Sequence, residues 1–252
     1  MNAVIDSLMN HRSIRKFRDK PLEAEVLDTI LLAGTRAATA GNLQHYSLIV
    51  VDDKEKKRAL WDEEMLDAPT LIIAVVDEYR LKRWFELNEA PFYFDQVTNL
   101  LISYWDAVIA LQNVVVAAES LGLGTVYLGE IISKDLAGIL GTPPYVFPAG
   151  CALVGYPDES PELRPRLPID AVVHRNGYHL PSDDEINTWF KQKDERWLAL
   201  SEQARQKFIE KGITNWAQRT TLGHYTAEFI AEDSAGVFRN LAAAQFKLTR
   251  EK

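Results

Sequence analysis

The chain has 252 residues, of which 28 are basic and 36 acidic, so its formal net charge is −8 at pH 7. With 47% hydrophobic and 25% charged residues, the composition is that of an ordinary globular protein and excludes disordered, collagen-like and low-complexity classes. The acidic balance argues against a nucleic-acid-binding protein, which normally presents a basic face, and the one cysteine, Cys151, excludes an intrachain disulfide and a cysteine-ligated zinc site.

The N-terminal sequence predicts a cytoplasmic protein. It lacks the basic start and the apolar run of a secretory signal. The longest apolar stretch, 107–118, is shorter than the ~20 residues that span a bilayer. We therefore expect neither a membrane nor a nucleic acid among the partners.

Apolar residues at helical spacing predict two helices near the start of the chain. The first lies within 1–10, where Val4 and Leu8 are about one turn apart. The second begins behind Pro21, a residue favoured in the first turn of a helix, and ends among the small residues of 34–41. A third helix, highly charged, is predicted over 54–64.

Short apolar runs predict about four or five strands, of which four are placed at 47–51, 71–76, 125–128 and 151–154. The aromatic stretch 78–95, which follows the second strand, fits no periodic pattern. From its residues alone it is interpreted as an interface or core segment.

The segment 95–121 predicts the longest helix, ended by Gly122. This helix is apolar nearly all round. A helix without a polar face is buried, so we expect it in the core or in a subunit interface.

Beyond the last strand the chain becomes proline-rich and then helical. The prolines favour an extended arm over 157–178, and 183–252 is predicted to be a tail of two or three amphipathic helices. Apolar strands mixed with helices predict a sheet covered on both faces, α/β or α+β. We expect one domain over 1–252.

Two arginine clusters stand out in this acidic chain. The first is the His-Arg-Ser-Ile-Arg segment at 11–15, and the second pairs Arg164 with Arg166 around a proline. Guanidinium groups offer planar, bidentate donors to phosphate. A phosphorylated ligand would explain both clusters, although either cluster alone is more often solvated surface charge.

Two further segments suit a flat ligand. The loop 37–44 combines small residues with the amides of Asn42 and Gln44, although alone it is more simply a plain loop. The glycines of 122–129 follow a helix and precede a strand, the reverse of a dinucleotide fingerprint. No acid, base or nucleophile stands out, and Cys151 is interpreted as an inert core thiol, so an enzyme built on this sequence would rely on a cofactor.

Four motifs together resemble the FMN-dependent nitroreductase family. They are H-R-S-I-R at 11–15, A-T-A-G-N-L-Q at 38–44, A-A-E-S-L-G-L-G-T-V-Y-L-G at 117–129 and L-R-P-R-L-P at 163–168. The match is nearest to the oxygen-insensitive nitroreductase A and flavin reductase P branch and extends to about Tyr178. The resemblance implies an α+β fold, with a mixed sheet covered by helices, and an intertwined homodimer with FMN in each of two interface sites.

The resemblance also implies which residues bind the cofactor. These are His11, Arg12, Ser13, Arg15, Thr39, Asn42, Gln44, Tyr127, Leu128, Gly129, Arg164 and Arg166. The residues at 11–13, with Arg166, would hold the phosphate, and Arg15 would lie near the pyrimidine side and stabilise reduced flavin electrostatically. The loop 39–44 would meet FMN across the interface, and the backbone of 127–129 would follow the flavin edge.

Two departures from the family pattern concern the substrate pocket. Glu130 stands where the nearest relatives tend to have glycine, and the segment 53–68 is short and lacks their Gly-Gln element. Both changes affect the expected pocket more than the expected FMN binding. Arg164 replaces a lysine that is common in the branch, which keeps the charge.

The activity implied by the resemblance is the ping-pong, two-electron reduction of nitroaromatics, quinones or free flavin by NAD(P)H, with NADPH favoured. Two alternatives stay open: another flavin-dependent reduction, such as dehalogenation or flavin fragmentation, and a non-catalytic FMN-binding protein. For the first alternative the resemblance implies a lid over the flavin, and the aromatic segment 78–95 is its candidate. An NADPH phosphate needs cations. The candidates in the tail are Arg196, Arg205, Lys207, Lys211 and Arg219.

Overall fold

A computed structural model describes residues 2–61 and 68–249. The chain divides into two compact units, the first made of 1–163 and 233–252 and the second of 164–232. The expectation of one domain over 1–252 stays a prediction.

The first unit contains the sheet. Its elements are α1 (Ala3–Met9), α2 (Ala24–Thr35), β1 (Tyr46–Val51), α3 (Lys54–Leu60), β2 (Thr70–Asp77), α4 (Tyr79–Leu87), α5 (Val97–Ser120), β3 (Gly124–Leu128), α6 (Leu136–Leu140) and β4 (Val146–Gly155). The second unit holds α7 (Asp183–Leu198), α8 (Glu202–Ile209) and α9 (Trp216–Gly223), and α10 (Ala227–Ala244) begins there and ends in the first unit.

The four strands form one sheet in the order β1-β2-β4-β3. All three strand pairs of the sheet in the described residues are antiparallel, so Ile73 lies opposite both Ile49 and Cys151. The α+β class is confirmed, whereas the expected mixed sheet is corrected to an antiparallel one. The reason is that strands buried on both faces are continuously apolar whichever way they run, so the sequence pattern carries no direction.

Alternate residues of β2 enter two separate cores, as the two-residue period of a strand requires. Ile72 packs in the core formed with α2 and α5, which includes Leu111. Ile73 packs in the opposite core together with Leu60 and Cys151. The predicted covering of both faces is therefore confirmed. Burial raises the pKa of the Cys151 thiol, which agrees with an inert core cysteine.

Helix α5 is the predicted long helix, and Gly122 follows its end with a φ of +80°, as a left-handed C-terminal glycine does. By length and composition this helix could cross a membrane, yet one of its faces is packed in the core around Leu111 and Val114. The opposite face is exposed. It presents Val97, Leu101, Trp105 and Ile109 at four-residue spacing.

The aromatic segment 78–95 forms α4 and then a ring cluster within the first unit. Phe85 and Phe94 lie 5.4 Å apart, and Phe92 meets the edge of Tyr145 at 5.5 Å, between ring centroids. The segment is thus partly a core segment, with Trp84 left exposed.

The described part of the tail, 183–249, contains four helices where two or three were predicted. Polar caps divide the amphipathic pattern. Ser182 forms a capping box at the start of α7, and Ser201 and Asn215 cap α8 and α9. No helix interrupts the arm 157–178 except one 3-10 turn at Ile169–Ala171. The predicted end of the charged helix, at 64, lies outside the described residues, since α3 is described to Leu60.

Candidate functional site

The segment 11–15 lies alongside β3, so the first and third motifs are neighbours in space. Ser13 pairs with Thr125 in an isolated parallel bridge, and the Ile14 amide donates to the Thr125 carbonyl oxygen at 2.8 Å. Ile14 is buried against Gly124, where an added Cβ would stand 2.8 Å from the Ile14 side chain. Glycine at this position therefore allows the arginine-bearing segment to pack on the strand.

A carboxylate on α5 fixes His11. Glu119 Oε1 lies 2.7 Å from His11 Nδ1 and accepts a hydrogen bond from the Thr125 hydroxyl at 2.6 Å. This arrangement holds the imidazole ring by one nitrogen and leaves the other available. Glu119 was not singled out from the sequence, although a lone acid at the end of an apolar helix was a signal for it.

Arg12 and Arg15 are held mainly through backbone contacts. Arg12 donates from Nη1 to the Pro161 carbonyl oxygen at 3.0 Å. The amides of Arg15 and Lys16 both donate to Glu159 Oε1, at 2.5 and 3.0 Å, and these bonds lower the pKa of the Glu159 carboxyl. These backbone contacts fix the segment and leave the Arg15 guanidinium without a role in holding it.

Within the described residues, neither the Ser13 hydroxyl nor the Arg15 guanidinium has a hydrogen-bond or ion-pair partner. Arg15 is exposed. Phosphate and other anions bind to such a set of donors, in which a cation and a hydroxyl lie on a fixed backbone and have no partner within the protein. These residues therefore fit the phosphate and the electron-poor ring system of FMN.

A buried carboxylate organises the loop 39–44. Asp106, on α5, accepts from the Thr39 hydroxyl at 2.5 Å and from the Ala40 amide at 3.0 Å. The same hydroxyl accepts from the Gln44 amide at 3.0 Å. The Thr39 hydroxyl is therefore a structural group in this arrangement, and Asp106 is a site-shaping residue that the sequence did not reveal.

The amides of Asn42 and Gln44 are also arranged by the loop. Both residues adopt positive φ, +54° and +50°. The Gln44 side-chain nitrogen donates to the Asn42 carbonyl oxygen and side-chain oxygen, each at 2.8 Å. Arg80 holds the end of the loop by donating to the carbonyl oxygens of Gln44 and Tyr46, at 2.5 and 3.0 Å. Among the residues that the structure describes, the Asn42 amide nitrogen and the Gln44 amide oxygen have no hydrogen-bond partner, so both are available to a ligand.

The next residue, His45, belongs to a buried polar cluster. Its Nδ1 lies 2.9 Å from Glu78 Oε1, and the Ser103 hydroxyl donates to the same oxygen at 2.5 Å. Burial alone would lower the pKa of His45, but the hydrogen bond and the negative charge of Glu78 outweigh it and raise that pKa. This cluster anchors the loop to the sheet.

At the end of β3, Tyr127, Leu128 and Gly129 form an open edge. The Tyr127 hydroxyl donates to Gln112 Oε1 at 2.8 Å, and burial, with the charge of Glu119, raises the Tyr127 pKa. A Cβ added to Gly129 would meet nothing within 4 Å. The side of the strand end is thus free for a flat group, and Glu130 beside it is exposed.

Arg164 and Arg166 lie in the second unit. Both are exposed, and the Arg166 carbonyl oxygen accepts from the Gln192 side chain at 2.9 Å. Arg164 lines a cavity together with Lys193 and Arg196. The role of either arginine in holding the FMN phosphate stays a prediction. Among the described residues, no three metal-ligating side chains converge.

Comparisons with known proteins place these residues in a family context. The Nitroreductase family model matches residues 8–156. A Bacillus subtilis protein named FMN reductase [NAD(P)H] is 35% identical over 229 residues, covering 86% of this chain and 89% of the relative. The structure of Bacillus megaterium NfrA2 superposes with a TM-score of 0.84 at 34% identity, over 99% of this chain and 100% of that one. The NADPH:FMN oxidoreductase from Vibrio harveyi, complexed with NAD+, gives a TM-score of 0.72 at 28% identity, over 94% and 98%. This chain belongs to the nitroreductase family.

Proposed function

We propose that this chain is an FMN-dependent NAD(P)H oxidoreductase that reduces a small-molecule acceptor by two electrons. The observation that carries the proposal is the fixed segment 11–15, which lies beside the open end of β3. Its Ser13 hydroxyl and Arg15 guanidinium have no hydrogen-bond partner among the described residues. Bound FMN supplies the two-electron chemistry, because no acid, base or nucleophile stands out in the sequence.

The chain's own residues bind and tune the cofactor in this proposal. Arg12 and Ser13 donate to the phosphate, and the ring of His11, which Glu119 holds by Nδ1, lies against it. The Arg15 guanidinium offsets negative charge that develops on reduction. Asp106 holds the loop 39–44 in the shape that presents its two amides.

The names of the relatives support NADPH as the favoured donor. Similar proteins are called FMN reductase (NADPH) in Bacillus subtilis and NADPH-dependent oxidoreductase in Staphylococcus aureus, at 32% identity each. We place the acceptor among nitroaromatics, quinones and free flavin, and the reaction in the cytoplasm.

We also propose a homodimer, built on exposed apolar faces of the first unit. No residue of α1 is buried, and the helix exposes Val4 and Met9. Helix α5 exposes the four-residue stripe described above, which includes Trp105. Exposed apolar side chains grouped in this way are typical of an interaction site, and a second copy of the chain would cover them.

The visible spectrum of the purified protein tests the function directly. We expect a flavin spectrum that is lost on anaerobic addition of NADPH, more slowly with NADH, and returns when a quinone is added. Bound flavin that neither donor reduces would point instead to a non-catalytic FMN-binding protein. Absence of flavin after reconstitution with FMN would refute the proposal.

The predicted phosphate contact of Arg166 is tested by comparing FMN with riboflavin. Arg166→Ala should weaken FMN binding at least about tenfold, since a charge-assisted hydrogen bond is lost, and leave riboflavin binding unchanged. Fluorescence titration of the apoprotein measures both. Arg175→Ala, a change of another exposed arginine in the same arm, should alter neither, and an equal loss for both flavins would show that Arg166 does not contact the phosphate.

A further inference from the structure

The turn that follows β3 is held in one conformation by the core beneath it. Residues Gly129–Ser133 form a short 3-10 helix directly after the strand. Ile131 of this turn is completely buried, in the core that contains Leu71. The Ser133 hydroxyl donates to the Glu130 carbonyl oxygen at 2.8 Å. The backbone at Glu130 is therefore fixed both by the turn and by the packing of its neighbour.

Helix α10 supports the same turn within the first unit. Asn240 Nδ2 donates to the carbonyl oxygens of Ile132 and Lys134, at 2.8 and 2.9 Å. Gly236 lies one helical turn earlier, and a Cβ added there would stand 2.5 Å from the Ser133 carbonyl oxygen. Because residue 236 is glycine, the helix can approach the turn this closely. The turn is thus held from a distant part of the chain as well.

Glu130 places a charge on this fixed turn that the described residues do not neutralise. Its side chain is exposed, and in the described part of the chain its carboxylate forms neither a hydrogen bond nor an ion pair. The basic residue nearest to it along the chain, Lys134, has its Nζ 5.5 Å from the centroid of the Trp61 ring instead. The negative charge of Glu130 therefore lies at a defined place and faces solvent.

A second carboxylate adds negative charge at the same strand end. After burial, the charge of Glu119 is the further cause that raises the pKa of Tyr127, so the field of Glu119 reaches this part of β3. Gly129, between Tyr127 and Glu130, leaves one side of the strand end open. The cations of the segment 11–15 are assigned to the cofactor in the proposed function. The open side of the strand end is therefore acidic.

We propose that Glu130 selects electron acceptors by charge, so that neutral and cationic ring compounds bind beside the end of β3 and anionic ones are disfavoured. The inference rests on the proposed function, in which the flavin lies beside this strand end and the acceptor lies next to the flavin. A like charge at a binding site disfavours a ligand, whereas an opposite charge favours it. Uncharged quinones and nitroaromatics are thus preferred to free FMN, whose phosphate is anionic.

Equilibrium binding of three nitroaromatics to the oxidised, FMN-loaded protein tests this selection without turnover. The probes 4-nitrobenzoate, 4-nitrobenzamide and 4-nitrobenzamidine have nearly the same shape and are anionic, neutral and cationic. The change in flavin absorption measures each dissociation constant. We expect the wild type to bind the amidine most tightly and the benzoate least tightly. Glu130→Gln should lower the ratio of the benzoate constant to the amidine constant at least about tenfold, because one nearby charge is removed.

Charge reversal and salt provide independent checks. Glu130→Lys should make the benzoate the most tightly bound of the three probes. Raising the ionic strength from about 0.03 M to about 0.5 M should lower the wild-type ratio, because it shortens the Debye length, and should change the ratio of Glu130→Gln much less. Glu25→Gln removes another exposed carboxylate of the first unit, on α2. It is the matched control and should keep the wild-type ratio.

Three results would overturn the proposed selection. One is an unchanged ratio in both Glu130 variants, with circular dichroism and flavin content as in the wild type. Another is an equal change in the binding of all three probes, which would show an effect of shape and not of charge. The third is loss of FMN from both variants, which would assign Glu130 to cofactor binding. Wild-type protein that gives the expected ratios but is not reduced by NADPH would contradict the proposed function alone, because probe binding is measured independently.

Discussion

Replacing Glu78 with leucine is expected to lower the free energy of unfolding by about 3 kcal/mol, since breaking one side of a buried pair leaves the other uncompensated. Glu78 is completely buried, and His45 is 3% exposed. The variant leaves His45 Nδ1 without its partner at 2.9 Å. Ser103 loses less, because its hydroxyl also lies 2.7 Å from the Asn99 carbonyl oxygen.

The difference between wild type and Glu78→Leu should depend on pH. Because the folded-state pKa of His45 is raised, its contribution to stability is fully present below the unfolded value of about 6.5 and is lost as pH rises through the folded value. We therefore expect a larger difference at about pH 6 than at about pH 9. Urea unfolding at both pH values measures it.

Two control variants accompany Glu78→Leu. Glu78→Gln keeps an oxygen to accept from Ser103 and His45 but removes the charge, so it should cost less and abolish the pH dependence. Glu86→Leu removes an exposed, ion-paired carboxylate of α4 and should cost far less than Glu78→Leu, because exposed ion pairs contribute little to stability. A Glu78→Leu protein as stable as the wild type at both pH values would contradict the assigned role.

Replacing Trp105 with glutamate is expected to raise the dimer dissociation constant by at least about 100-fold, the scale of a central aromatic contact. Trp105 is 63% exposed at the middle of the apolar stripe on α5. In a dimer that buries this stripe, the new carboxylate would be desolvated without a partner. Analytical ultracentrifugation across a concentration series measures the constant.

Trp84→Glu is the matched control for the dimer prediction. It makes the same aromatic-to-charge change on α4, where Trp84 is also exposed, and should leave the sedimentation behaviour unchanged. A wild-type protein that sediments as a monomer at all concentrations would contradict the proposed interface. Because FMN is expected at the interface, Trp105→Glu should also retain less flavin.

Hydrophobic patterning alone determined most of the local structure. The apolar runs located the four strands of the sheet. The predicted ends of α5 differ from the observed ones by two residues at the start and by one residue at the end. The segment 11–15 was identified by its chemistry, since two arginines, a histidine and a serine in five residues are conspicuous in an acidic chain. These features are local, and local composition is what a sequence displays directly.

The tertiary structure decided everything that depends on partners distant in the chain. Asp106 and Glu119 lie in a helix that the sequence showed as apolar nearly all round. They nevertheless fix Thr39 and His11, which precede them by 67 and 108 residues respectively. Strand direction belongs to the same class, because a strand buried on both faces has the same pattern in either orientation. Burial turns a single carboxylate into an obligatory hydrogen-bond acceptor, and burial is set by the packed chain as a whole.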